Sequence, residues 1–191
     1  MSRRLERKAI GFVGDSDVGK TTLLEQLIPV LSDRGLAVAS VKHASHGFDA
    51  DRPGKDSHRL YASGARAVAL ICDDQIATFA RRDASRPASL EEALATLPGS
   101  LDTVLVEGFA WEPIPRIVLV ASGRNPRPAH VAPGPVLRIV AVPDFEPGTK
   151  PTFPDELVHE IAAEIEARLH HQSSAPPGRN AESALRRPRC A

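Results

Sequence analysis

The chain has 191 residues, enough for one domain with a sizeable core. Its 24 Lys and Arg balance 24 Asp and Glu, which argues against a nucleic-acid binder, because such a domain carries a basic stripe. The two cysteines, Cys72 in an apolar run and Cys190 in a polar C-terminal segment, argue against a structural disulfide. They fit a reducing cytosol, and no signal peptide or membrane span is visible behind the charged lead-in 1–8.

The first element is an apolar strand at about 9–14. It runs into Gly14-Asp15-Ser16-Asp17-Val18-Gly19-Lys20-Thr21, which fits the phosphate-binding loop pattern G-x-x-x-x-G-K-S/T. A helix follows over about 19–34, with Leu23, Leu24, Leu27, Ile28 and Leu31 at helical spacing. Strand, loop and helix together are the context that the motif requires. Gly14 and Gly19 let the backbone turn its N–H groups around a phosphate. The helix start adds its positive dipole end. Lys20 supplies a point charge for the outer phosphates, and the Thr21 hydroxyl can take a place on Mg²⁺. Asp15 and Asp17 are unusual beside a polyphosphate. Their side chains are expected to point outward, or to help hold metal or water.

Gly35 reads as the end of this helix. A second strand, 36–41, ends in Lys42-His43. Residues 44–57 form a polar loop, and 56–63 a short helix capped by Asp56 or Ser57. Strands 67–72 and 75–80, joined by Asp73-Asp74, read as a hairpin. Ser89 and Glu92 form a capping box for a helix that runs to about Leu97 and stops at Pro98-Gly99. Apolar strands follow at 103–106, ending in Glu107-Gly108-Phe109, then at 117–121, and at 136–142, ending in Pro143-Asp144. Residues 122–135 are expected to be a loop. A helix spans Pro154 to about His170. From Gln172 onward the chain has little to bury and should be disordered.

Continuous apolar strands alternating with helices predict a mostly parallel sheet covered on both faces. The expected architecture is a three-layer α/β P-loop NTPase domain over 1–171, with a hairpin inserted and a disordered tail over 172–191. Ligands of such sheets lie beyond the strand C-termini, so only polar groups at those ends can reach a nucleotide.

At that edge stand Lys42, His43, Glu107 and Asp144. Asp102 lies at the wrong end of its strand, roughly 16 Å from Glu107 at about 3.3 Å per residue. Glu107 is therefore the preferred acid for Mg²⁺, direct or through water. His43, His46, His58, Asp49 and Asp51 lie in or near one loop, which reads as a switch-like segment, a metal site without compact ligand spacing, or a solvated loop. Trp111, in Phe109-Ala110-Trp111-Glu112-Pro113-Ile114-Pro115, is either a contact surface or a local plug over the sheet. No Asn/Thr-Lys-x-Asp guanine element is present, although Asp144 stands where such an acid could accept from a guanine.

Three segments resemble the family of molybdopterin-guanine dinucleotide biosynthesis adaptor proteins, MobB. They are Gly14 to Glu25, the stretch from Val41-Lys42-His43 through Asp49-Ala50-Asp51-Arg52-Pro53-Gly54-Lys55-Asp56-Ser57, and Val106-Glu107-Gly108-Phe109. The resemblance covers roughly residues 8–170. It implies a GTP-binding protein, usually dimeric, that assists the nucleotidyltransferase MobA, with molybdopterin as a further candidate ligand; the composition adds the expectation of a cytoplasmic setting with no nucleic acid or membrane partner. By position it implies phosphate binding by Lys20, Thr21 and the loop Gly14, Asp15, Ser16, Asp17, Val18, Gly19 and Thr22, with Lys42 and His43 in its signature element; Asp144 joins this candidate nucleotide-binding set only from its place at a strand end. Thr21 and Glu107 would hold Mg²⁺, and Lys20 and Glu107 would carry any hydrolysis. Asp56 also falls in the signature element. Two departures stand out: Asp17 replaces a Gly of the loop, and Ala110 follows Glu-Gly-Phe where Lys is common.

No residue is a clear water-positioning Gln or arginine finger, so hydrolysis is expected near intrinsic GTPase rates, about 10⁻⁴ to 10⁻² per second. The competing readings are a small P-loop kinase using Arg81, Arg82 and Arg86, and a GTP-dependent metallochaperone using the loop histidines.

Overall fold

Runs of β-branched and apolar residues that hydrogen-bond side by side need both faces covered, and this chain supplies the covers in sequence order. A computed structural model describes residues 8–49, 51–146 and 148–174. Five strands form one sheet: β1 (Ala9–Val13), β2 (Val38–Lys42), β5 (Thr103–Glu107), β6 (Arg116–Ala121) and β7 (Val136–Val142). Their order is β2-β5-β1-β6-β7, and every pairing is parallel. The architecture is α/β, as the alternation of apolar runs and helices implied.

Alternation along the strands sorts the side chains between two faces. Phe12, Leu105, Ile117, Leu119 and Val140 pack against Leu23, Leu27 and Leu31 of α1 (Lys20–Asp33) and against Val158, Ile161 and Ile165 of α5 (Asp155–Ser174). On the other face Val41, Val104 and Val106 meet Leu90 and Leu94 of the short α3 (Leu90–Ala95). The two covers are unequal, and loops complete the second one through Phe109 and Ile114.

Local signals act where they were expected. The Gly35 and Leu36 N–H groups donate to Ser32 and Leu31 carbonyls, closing α1 in a Schellman turn. Ser89 accepts the Glu92 N–H at 3.2 Å and starts α3. The β3 (Ala67–Ile71) and β4 (Ile76–Ala80) hairpin is antiparallel and forms a sheet of its own. Its apolar residues are largely exposed, with Ile71 at 79% and Ile76 at 73% paired near its tip.

Three local expectations are corrected. Helix α2 (Asp56–Ala62) begins after Lys55, without a side-chain cap, so Asp56 lies in its first turn. There its charge faces the positive helix end. Residues 122–135 contain a helical turn, α4 (Pro128–Val131), begun by Pro128, whose fixed φ suits the first helical position. Helix α5 runs to Ser174, past the expected boundary at 171. The remaining tail, 175–191 with Cys190, lies outside the described residues. Cys72, in its apolar run, is exposed and donates to Asp74 at 3.1 Å.

Candidate functional site

The loop between β1 and α1 has the backbone its sequence requires. Gly19 has φ 97°, and a Cβ there would come within 2.5 Å of Pro151. Asp17 also has a left-handed backbone, φ 59°. That explains why a Gly suits this position, and why Asp, one of the few side chains that tolerate the conformation, can replace it. The Asp17 side chain is exposed, whereas the Val18 side chain is buried in the core beneath Gly14.

Lys20 folds back over the loop. Its Nζ donates to the Asp15 carbonyl at 2.5 Å and to the Gly14 carbonyl at 3.2 Å. Burial pushes its pKa down, against the opposing pull of Glu107, Asp17 and Asp15.

The partners from β2 and β5 arrive by register. Lys42 and Glu107 are Cα partners at the strand ends. Glu107 shares its parity with Leu105, so its side chain lies on the α1 face. There it is buried, accepting the Thr21 hydroxyl at 2.8 Å through Oε2 and pairing with Lys42 Nζ at 3.1 Å through Oε1. Lys42 also donates to Thr21 Oγ1 at 3.3 Å. Asp102, at the far end of β5, accepts the Ala37 N–H at 2.9 Å and holds a loop there. A hydroxyl and a carboxylate side by side are hard oxygen donors, of the kind that Mg²⁺ takes together with phosphate oxygens.

His43 turns away from this cluster. Its N–H donates to the Glu107 carbonyl at 2.9 Å. Its ring centroid stands 5.0 Å from Phe109 and 5.0 Å from Trp111. Phe109 has φ 49°, an uncommon conformation for a bulky residue, and its ring is buried. Trp111 keeps 54% of its surface exposed. It is therefore one wall of an aromatic cluster, still open to solvent.

The other loop histidines are not drawn together. His46 and Asp49 are exposed. Asp51 is held below the usual carboxylate range by the Ser57 hydroxyl, with the Arg52 N–H as a further donor. Among the described residues no group of three or more His, Cys, Asp or Glu is placed to hold a metal ion. Asp144 is exposed beyond β7. It shares the ligand edge, but two strands, β1 and β6, lie between β7 and β5, so three strand spacings, roughly 14 Å, separate them.

Two residues escaped the sequence reading. Arg127, just before α4, reaches Asp15 Oδ1 with Nε at 2.9 Å, and His130 Nε2 lies 3.9 Å from the same oxygen. Burial is the main cause lowering the His130 pKa. No local pattern marks them, because their proximity to the loop follows from β6 lying beside β1.

A third residue, Arg116, organises both flanks. It is fully buried, at the start of β6. Its guanidinium donates to five backbone carbonyls, those of Ala110, Glu112, Ile114, His130 and Ala132. It therefore ties the Trp111 loop to the turn that carries His130, and desolvation lowers its pKa.

The pattern of a family described as MobB, molybdopterin guanine dinucleotide synthesis protein B, matches residues 9–142. A Haemophilus influenzae protein named molybdopterin-guanine dinucleotide biosynthesis adapter protein is 42% identical over 111 residues, 58% of this chain and 61% of that protein. The chain thus spans less than two thirds of that relative. The Escherichia coli protein of the same name is 38% identical over 123 residues, 64% of this chain and 70% of its own. A crystal structure of molybdopterin-guanine biosynthesis protein B superposes with a TM-score of 0.63 at 30% identity, covering 85% of this chain and 99% of that one.

Proposed function

This chain belongs to the MobB family, and on that premise we propose that it is a GTP-binding adaptor in the synthesis of the molybdopterin guanine dinucleotide form of the molybdenum cofactor. The observation that carries the reading is the cluster of Lys20, Thr21, Lys42 and Glu107 at the end of β1, β2 and β5. Lys20 and the loop amides would take the phosphates. Thr21 and Glu107 would hold Mg²⁺, which supplies charge neutralisation at the phosphate oxygens. Lys42 balances the Glu107 carboxylate until a cation arrives. Asp144 is offered as the acceptor for the guanine.

The adaptor would act in the cytoplasm with MobA, the nucleotidyltransferase, and with molybdopterin as a further ligand. No helix among the described residues is long and apolar enough to cross a membrane. A homodimer is supported by the hairpin, whose apolar tip and open strand edges favour pairing with a second copy. Against the kinase reading, the arginines that could form a lid each have a neighbouring partner. Arg81 stacks over Tyr61 at 4.2 Å, and Arg82 and Arg86 both pair with Glu92.

The test is phosphate release from purified protein with Mg²⁺ and GTP, alone and with MobA, beside mass spectrometry of any co-purified nucleotide. Guanine nucleotide with turnover below about 10⁻² per second is expected. Turnover above about one per second by the isolated protein, or rapid phosphoryl transfer to a small acceptor, would overturn the adaptor reading.

A further inference from the structure

Asp15 puts a carboxylate in the loop that should hold a polyphosphate. Its carbonyl already accepts Lys20 Nζ, so this residue lies next to the phosphate position. Its carboxylate is not left to face that position alone. Oδ1 meets Arg127 Nε at 2.9 Å, with His130 Nε2 further off at 3.9 Å. Burial disfavours the charged form of His130, and the charged groups that face it are Asp15, Arg127, Lys20 and Arg116. At neutral pH the charge that answers Asp15 from the segment around α4 is therefore that of Arg127, just before the helix. Arg116 holds the turn in place through the His130 and Ala132 carbonyls.

We propose that Arg127 is a positioning residue of the nucleotide site, which neutralises Asp15 and draws its carboxylate aside so that the loop can accept a polyphosphate. The proposal rests on the phosphate-loop reading given above and adds a residue to it. The size of the effect follows from Coulomb's law. An unpaired carboxylate roughly 6 Å from a dianionic phosphate, in a water-like dielectric, opposes binding by about tenfold. The Arg127 side chain is 70% exposed, so its loss leaves no buried hole.

Titration calorimetry with Mg²⁺-GTP on the full chain tests this through a double-mutant cycle. Arg127→Ala should weaken binding about tenfold, and Arg127→Lys should recover most of the loss. Asp15→Asn should bind more tightly than wild type, and Asp15→Asn combined with Arg127→Ala should return to within about twofold of wild type. Raising the salt should shrink the Arg127→Ala effect, which a merely structural role would not do. Unchanged affinity in Arg127→Ala overturns the proposal. So does a double variant as weak as Arg127→Ala, because Arg127 would then touch the phosphate directly. Lys20→Ala in the same series separates the two failures. If it too binds normally, the phosphate-loop reading itself is wrong; if it binds weakly while Arg127→Ala does not, only this proposal falls.

Discussion

The Thr21 hydroxyl donates to Glu107 Oε2 at 2.8 Å, joining residues 86 positions apart in sequence. Thr21 lies in the first turn of helix α1 and Glu107 ends strand β5, so this bond ties the β1–α1 loop to the neighbouring strand. The same carboxylate pairs with Lys42 on β2, which makes Glu107 the point where three elements meet.

Replacing Glu107 by Gln keeps the shape and removes the charge. Magnesium should then add about tenfold less to GTP affinity, or worse, the range found when metal-supporting groups are lost. Calorimetry with and without Mg²⁺ measures this difference. An unchanged metal effect would remove Glu107 from the metal side.

Lys20→Ala should weaken GTP binding by about 2–4 kcal/mol, as expected when a charge-assisted contact in a partly enclosed site is lost. The fold should survive, because the Lys20 ammonium bonds to loop carbonyls rather than to core groups. Equal affinity for GTP in this variant, with an unchanged melting curve, would refute the assignment.

Arg116→Met should destabilise the protein by about 3 kcal/mol or more. Five carbonyls lose their donor, and each buried unsatisfied group costs about 1–3 kcal/mol. Urea denaturation gives the number. A loss under about 1 kcal/mol would mean that water replaces the guanidinium without cost.

His130 gives a pH dependence whose sign can be worked out. Its folded pKa lies below the ordinary value of about 6.5. In the window between the two values the unfolded chain binds more protons than the native one. Stability should therefore fall as the pH drops from about 6.5 toward the folded pKa. Comparing urea midpoints at several pH values for wild type and His130→Gln isolates the effect. A variant with the same slope as wild type would rule out His130 as its source.

Trp111 is the sole tryptophan of the chain and packs against His43, whose N–H is bonded to the Glu107 carbonyl. Mg²⁺-GTP should shift its emission, and His43→Ala should blunt that shift. Emission that does not respond to saturating nucleotide would show that the aromatic cluster is uncoupled from the site.

The sequence by itself determined the glycine-bounded loop after the first strand, the strand and helix that flank it, the α/β class, the hairpin and the placement of Glu107, rather than Asp102, at the strand end beside that loop. Each follows from short-range rules: glycine spacing, apolar periodicity, capping and the length of a strand. Only the tertiary structure decided which distant groups meet. Strand order placed β6 beside β1 and so brought Arg127 and His130 to Asp15, a contact that no local pattern encodes. Register set Lys42 against Glu107. Arg116 reads in sequence as an ordinary charged residue before an apolar strand, yet it is fully buried, because two loops converge on it with carbonyls that must be satisfied away from water.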